Sequence, residues 1–481
     1  MSFDLERGPL HYDFLSFLDP HALEKFKEGI DPDNKLRKVQ VEFNDPKIRN
    51  FYWRHIFKDL EASTNSEMLY KNLVTSYQQL KRTGMFKQIG ISFEPVDEET
   101  YKVILTPEHK KRTSFGFTDG HFGYFSDSFG FYGTFMVKNV TGMMDSISLN
   151  TIQGYYGNLK DSYFLSYMVP SVYKNYTLRA SLGIENSMLN GTVQERSKCQ
   201  LIRLQTNKTS FQISNTYRTN WIDPICHSKE VLDQELIPSQ KLAFVAEHGW
   251  KKFSPNKDWG IVTKVKGELS SVENSGKFLR LEVNNASIAA PQFIRQKGRI
   301  SQLTFENFSS VGVLMPLWRA KARINDRFYK NSMKGFKDIS NPEFLYDKTL
   351  NPLAGNPGFE HAGDYLGDDL YFRNTFKIMF NQCPILKNRN IIPFVYGSYG
   401  YFSGATMDKW LKPNPAGTAT GQKRYMDLMN EVKKKSRGSV GLGVQTTVKN
   451  LFNMEALINL HAFGTVNDKF TTFQFRCSVN D

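Results

Sequence analysis

From about Lys111 to the C-terminus, apolar side chains return at every second position, and this period bounds the fold more tightly than any other feature of the chain. Along Tyr176 to Glu185, the residues Tyr176, Leu178, Ala180, Leu182 and Ile184 alternate with Thr177, Arg179, Ser181, Gly183 and Glu185. The same alternation runs through Phe372 to Phe380, through Val440 to Val448, and through Phe473, Phe475, Cys477 and Val479 near the end. Successive strand side chains point to opposite faces, so each stretch has one apolar face and one polar face. In water the apolar face must pack on a second sheet, whereas in a bilayer it can meet lipid directly. A sheet in lipid must also close, because no strand edge can be left without hydrogen-bond partners.

Composition leaves both environments open for such a sheet but removes one alternative. No run of about 18 or more apolar residues occurs, which excludes a membrane-spanning helix. The 481 residues are 40% hydrophobic, with a mean hydropathy of −0.45. A barrel strand crosses with only about ten residues and shows lipid every second one, so its hydropathy looks almost soluble. The aromatic content of 14%, with 38 Phe and 22 Tyr, suits the girdles of such a barrel.

The remaining bulk features narrow the functional classes. Four cysteines, Cys199, Cys226, Cys383 and Cys477, are scattered without a Cys-x-x-Cys pair, so neither a zinc spacing nor a disulfide framework is present. The net charge of +14 is spread along the whole chain rather than gathered on one helix, which favours solvated loops and a polar lumen over a nucleic-acid partner. There is no Gly-x-Ser-x-Gly elbow, His-Glu-x-x-His pair or phosphate loop, and the nine histidines lack ligand spacing. No catalytic residue, metal or cofactor is therefore expected. Met1 to Arg7 has neither the basic and apolar regions of a secretory signal nor the character of a cleaved presequence, so entry into a membrane is expected from the cytosol.

Ahead of the alternating region the period changes. Residues 1–35, broken by Pro9, Pro20 and Pro32, read as an arm. Leu36 to Phe43 alternates as a strand, and Asp45-Pro46 then supplies an N-cap and a first-turn proline. Ile48, Tyr52, Ile56 and Leu60 share one side of a helix, and Leu69, Leu73, Tyr77 and Leu80 mark a second that ends near Gly84. Strands over Lys87 to Val96 and Tyr101 to Thr106 complete a β-α-α-β-β unit over residues 36–110.

Within the alternating region one segment does not fit a strand or a tight turn. Asp326 to Phe372 is a glycine- and aromatic-rich stretch, too long to be an ordinary connection. It opens Asp326-Arg327-Phe328-Tyr329, passes Met333-Lys334-Gly335-Phe336, and closes on Gly363-Asp364-Tyr365-Leu366-Gly367-Asp368-Asp369. The carboxylates Asp364, Asp368 and Asp369 at its end are of the type that binds calcium on a loop.

Those three blocks, in that order, resemble the sixth extracellular loop of the BamA-type outer-membrane barrel insertases. Met333, Lys334, Gly335 and Phe336 stand where that family carries Ile/Val-Arg-Gly-Phe. The flanking blocks look closest to the mitochondrial branch of the family, the barrel core of the sorting and assembly machinery. Leu80-x-x-x-Gly84-Met85-Phe86 within the β-α-α-β-β unit resembles a POTRA domain, and Asn139-Val140-Thr141-Gly142 resembles the hairpin between the second and third barrel strands.

The resemblance implies a transmembrane antiparallel β-barrel of about 16 strands over residues 111–481, preceded by one α+β POTRA domain. Sixteen strands over residues 112–481 leave about 23 residues per strand and loop, which suits tilted strands. The loop over 325–370 would fold into the lumen, with Met333, Lys334, Gly335, Phe336, Gly363, Asp364, Leu366 and Gly367 as its motif residues and the inner wall near Tyr396 as the partner of Lys334. Insertases of this family open a seam between the first and last strands. Here that gate would be Ser114, Phe115, Gly116 and Phe117 against Phe473, Gln474, Phe475 and Arg476. The implied function is insertion and assembly of β-barrel proteins into the mitochondrial outer membrane, with the POTRA domain in the intermembrane space. The implied partners are precursor β-barrel proteins, membrane lipid and accessory subunits of a sorting and assembly complex, with no nucleic acid. A protein-export or solute channel on the same barrel is the alternative.

Overall fold

The computed structural model describes residues 38–43, 45–64, 66–95, 100–117, 128–157, 162–173, 176–190, 193–206, 208–222, 229–254, 259–289, 303–317, 323–328, 369–380, 391–403, 436–448, 452–463 and 473–479. The N-terminal unit runs β1 (Lys38–Phe43), α1 (Asn50–Glu61), α2 (Ser66–Arg82), β2 (Phe86–Pro95) and β3 (Thr100–His109). Its sheet has the order β1-β3-β2, with β1 parallel and β2 antiparallel to the central β3.

The helices lie on this sheet through the positions their spacing demands. Ile56 and Leu60 of α1 and Leu69, Leu73, Tyr77 and Leu80 of α2 are buried in one cluster with Val39, Val41, Ile89, Ile91, Val103 and Leu105 of the strands. Trp53 and Phe57, one residue after the expected positions, widen the buried stripe of α1 and pack tilted against the Phe43 ring at centroid distances of 6.0 and 5.6 Å. The helix start differs from expectation. Asp45 does not cap α1; Arg49 holds the N-cap position and provides no side-chain bond. The Asp45 carboxylate instead accepts the Lys47 backbone N–H at 3.0 Å and pairs with His109 at 2.6 Å, so a tertiary contact has taken the capping group.

The rest of the described chain is one 16-stranded antiparallel sheet in sequence order. It begins with β4 (Thr113–Phe117), β5 (Ser128–Lys138), β6 (Ser146–Gly157), β7 (Ser162–Tyr173) and β8 (Tyr176–Asn190). It continues through β9 (Val193–Gln205), β10 (Thr209–Ile222), the short helix α3 (Lys229–Glu235), β11 (Ser239–Phe253), β12 (Trp259–Val272), β13 (Gly276–Ala289) and β14 (Leu303–Leu317). The last strands are β15 (Leu370–Phe380), β16 (Ile391–Ser403), β17 (Ser436–Val448), β18 (Phe452–Phe463) and β19 (Phe473–Val479).

Pairing fixes which face of each strand looks outward. Phe135, Leu149, Leu165 and Leu182 are neighbours in register on β5 to β8, and all four are exposed. Ile202, Ile213, Phe244 and Leu269 form a second exposed row in register on β9 to β12, offset from Leu182 by one outward position, and Leu442 and Ile458 form another pair on β17 and β18. Polar residues occupy the opposite face: Ser166 and Ser181 share a hydrogen bond at 2.9 Å, and Ser197, Ser210, Ser214, Glu268, Ser310, Lys377 and Ser398 are buried. An apolar belt across so many strands is far larger than a water-exposed patch, and it matches the lipid-facing band of a transmembrane barrel.

Candidate functional site

The inner wall of β10 to β13 holds a dense set of charges around one short segment. After β14 the chain enters a 3-10 turn over Ile324–Asp326, and Asp326 is fully buried. Arg218 of β10 donates to its Oδ1 at 2.9 Å and Lys241 of β11 does so at 2.8 Å. Lys241 also pairs with Glu268 of β12, and Arg218 lies 3.7 Å from Glu195 of β9. Burial by itself would raise the Asp326 carboxyl, but the Lys241 and Arg218 charges outweigh it and hold the pKa below the ordinary value. A cavity of about 390 Å³ opens beside this network, lined by Glu185, Glu195, Arg203, Arg218 and Lys241 among others.

Neighbouring residues tie the same segment down at several points. Asn325 and Asn220 exchange side-chain amide bonds at 2.8 and 2.9 Å. Arg323 donates to the carbonyl oxygens of Gln234 and Ile237 at 2.6 and 2.8 Å and reaches Glu235 at 3.3 Å, which clamps the α3 connection over the segment. Phe328 is buried between the Arg280 guanidinium, 4.4 Å above its ring, and Tyr371, at a centroid distance of 4.7 Å. Arg327 lies 3.5 Å from Asp369, so the two stems of the long segment are held together.

The motif residues Met333, Lys334, Gly335, Phe336, Gly363, Asp364, Leu366 and Gly367 lie outside the described residues. Tyr396, next to which Lys334 was expected, sits on the inward face of β16 and is buried beside Phe394 at a centroid distance of 6.5 Å. Lys377 of β15 already occupies this wall, 4.0 Å from the Phe394 ring and 3.2 Å from Glu455.

Ser114, Phe115, Gly116 and Phe117 lie on β4, and Phe473, Gln474, Phe475 and Arg476 lie on β19. These are the two ends of the sheet order, and no ladder joins them among the described residues. Among the described residues β4 covers 5 and β19 covers 7.

The N-terminal unit meets the barrel at the β5–β6 hairpin. Lys138 donates to the Gly84 carbonyl at 2.7 Å, Asn139 donates to that of Lys47 at 3.0 Å, and the Arg49 N–H donates to that of Gly142 at 3.0 Å. Met144 and Val169 of the barrel are buried in the same cluster as the core of the N-terminal unit.

Arg218, Lys241, Glu195 and Glu268 were invisible as a set in the sequence, where each is one more polar residue at an inward position of an alternating strand. Only the signal at Asp326, the first residue of the Asp-Arg-Phe-Tyr block, was legible.

No protein-family model and no curated protein matches the sequence. Among solved structures, the fold is similar to BamA from Haemophilus ducreyi lacking POTRA domains 1–3, with a TM-score of 0.65 and 13% identity over 93% of this chain and 84% of that one. It is also similar to CdiB from Acinetobacter baumannii, with a TM-score of 0.52 and 13% identity over 94% of this chain and 74% of that one. At such identity the shared property is the fold, and the chain has an antiparallel β-barrel fold similar to that of BamA.

Proposed function

We propose that this chain inserts and assembles β-barrel proteins in the mitochondrial outer membrane, through a lateral gate between β4 and β19. The observation that carries the reading is the place of β4 and β19 at the two ends of the sheet order, with no ladder between them among the described residues. A seam between the two end strands of the order can open without breaking any ladder inside the sheet. The unpaired N–H and C=O groups of its edges can then template a client strand. Such chemistry needs no catalytic residue, metal or cofactor.

The similarity to BamA supports the barrel-insertase or transporter superfamily, and the Asp-Arg-Phe-Tyr and Gly-Asp-Tyr-Leu-Gly blocks support its mitochondrial branch. The β-α-α-β-β unit then acts as a POTRA domain in the intermembrane space, receiving extended precursors at a sheet edge, and accessory subunits complete the complex. The tethered segment at Asp326 opens the stretch that carries the Asp-Arg-Phe-Tyr and Met-Lys-Gly-Phe blocks.

A cysteine pair across Ser114 to Phe117 and Phe473 to Arg476, in the register that brings the sulfurs within disulfide reach, tests the gate. The oxidised protein is expected to stay folded but to stop releasing newly assembled barrels, with activity restored by reduction. Undiminished insertion by a fully crosslinked seam would remove the lateral gate and leave the channel reading, for which ion conductance of the locked barrel is the measurement.

A further inference from the structure

We propose that the outer wall around β9 carries a binding site for an anionic phospholipid of the surrounding bilayer. Arg196, Lys198 and Gln200 lie on the same face of β9 as Ile202, which is 59% exposed and part of the apolar belt. Lys198 stands in register with Ile184 of β8 and Tyr217 of β10, and Gln200 stands with Leu182 and Asn215. Gln240 of β11 donates to Asn215 at 2.9 Å, which extends the polar spot across three strands. The belt is therefore interrupted on β9, on a wall that is otherwise apolar.

The interruption is also a groove. A concavity of about 640 Å³ runs across the outer surface here, with Leu149, Leu165 and Leu182 on one flank and Lys198, Gln200 and Asn215 on the other. The exposed aromatic residues Tyr163 and Tyr217 line it beside Lys198. Aromatic side chains of this kind mark the head-group level of a barrel, which puts the cations at that depth and the leucine row in the hydrocarbon.

Among the described residues the charge there meets no carboxylate on the outer face. Strands β6 to β11 contain three carboxylates, Glu185, Glu195 and Glu247, and all belong to the inward face. Glu195 faces Arg218 at 3.7 Å and Glu247 faces Arg203 at 3.6 Å. Among the described residues neither Arg196 nor Lys198 makes an ion pair, and both are exposed. A cation at the edge of hydrocarbon is costly unless an anion meets it. A phospholipid with net negative charge satisfies both flanks at once, its phosphate at Lys198 and Arg196 and its chains along the leucine row. A soluble anion leaves the leucine row bare, and a zwitterionic lipid brings its own cation against Lys198.

The inference requires the wall to face lipid but does not require the chain to insert other barrels, so it is decided separately from the gate experiment. The full chain is refolded into nanodiscs of phosphatidylcholine and phosphatidylglycerol in equal parts, released into detergent, and its retained lipids counted by native mass spectrometry. Wild type is expected to keep phosphatidylglycerol in preference to phosphatidylcholine. Arg196→Ala with Lys198→Ala is expected to lose that preference by about tenfold, while Lys252→Ala, on the same outer wall but at the other end of β11, keeps it. Equal retention of the two lipids by wild type, or undiminished preference in the double variant with a heat-modifiable folded band, would overturn the site. Where the double variant does not fold, Lys198→Gln alone decides: a loss of preference supports the site and no loss overturns it.

Discussion

Arg218 and Asp326, separated by 108 positions in the chain, meet at 2.9 Å inside the barrel, where the carboxylate is fully buried. The bond joins the wall of β10 to the 3-10 turn that follows β14. Lys241 approaches the same oxygen from β11, so two cations depend on one carboxylate for part of their compensation.

Asp326→Asn keeps the shape and removes the charge. The stability of the barrel against urea is expected to fall by about 2 kcal/mol, because Arg218 and Lys241 keep Glu195 and Glu268 as partial partners. Combining it with Arg218→Gln should cost less than the sum of the single changes, since both remove one interaction. Additive losses would show that the pair is not coupled.

On the β16–β17 ladder Gly441 stands in register with Tyr396 and Gly397 with Val440, so the two glycines occupy adjacent positions that present opposite faces. A Cβ at Gly441 would overlap the Ile458 carbonyl oxygen and stand 2.8 Å from the Tyr396 hydroxyl, whereas one at Gly397 meets nothing within 4 Å. The ladder to β18 is irregular at Val440/Gly441, where the backbone comes closest. Gly441→Ala is therefore expected to cost about 1–3 kcal/mol and to lower the yield of folded barrel, while Gly397→Ala leaves both near wild type. Equal yields of heat-modifiable barrel from the two variants would contradict this.

The junction with the N-terminal unit gives a more local readout. Gly142 has a φ of +82°, and a Cβ there would lie 3.2 Å from Arg49 Cγ and 3.4 Å from the Lys47 carbonyl oxygen. Gly142→Val is expected to strain the hairpin, since a β-branched residue resists that φ. The Arg49 amide, whose acceptor is the Gly142 carbonyl, should then exchange its hydrogen faster while the core amides of α2 do not change. Unaltered exchange at Arg49 would show that the contact is not held by this turn.

The proposed orientation is checked by protease protection. Residues 38–109 are expected to resist added protease in intact mitochondria and to be cut once the outer membrane is ruptured. Cleavage in intact organelles would place this unit on the cytosolic side.

The sequence by itself determined what alternation can determine. Period 2 from residue 111 onward specified strands with one apolar face, and the helical spacing of Leu69, Leu73, Tyr77 and Leu80 specified the buried stripe of α2, because both patterns are properties of neighbouring residues. The β-α-α-β-β order was legible for the same reason. Tertiary structure decided what depends on register between distant strands. Whether Arg218, Lys241 and Glu268 meet around Asp326, whether Asp45 caps a helix or binds His109, and whether Lys198 lies beside Leu182 are questions about pairing partners. One residue of slip in any ladder would move each side chain to the other face of the wall, so only the assembled sheet fixes these neighbours.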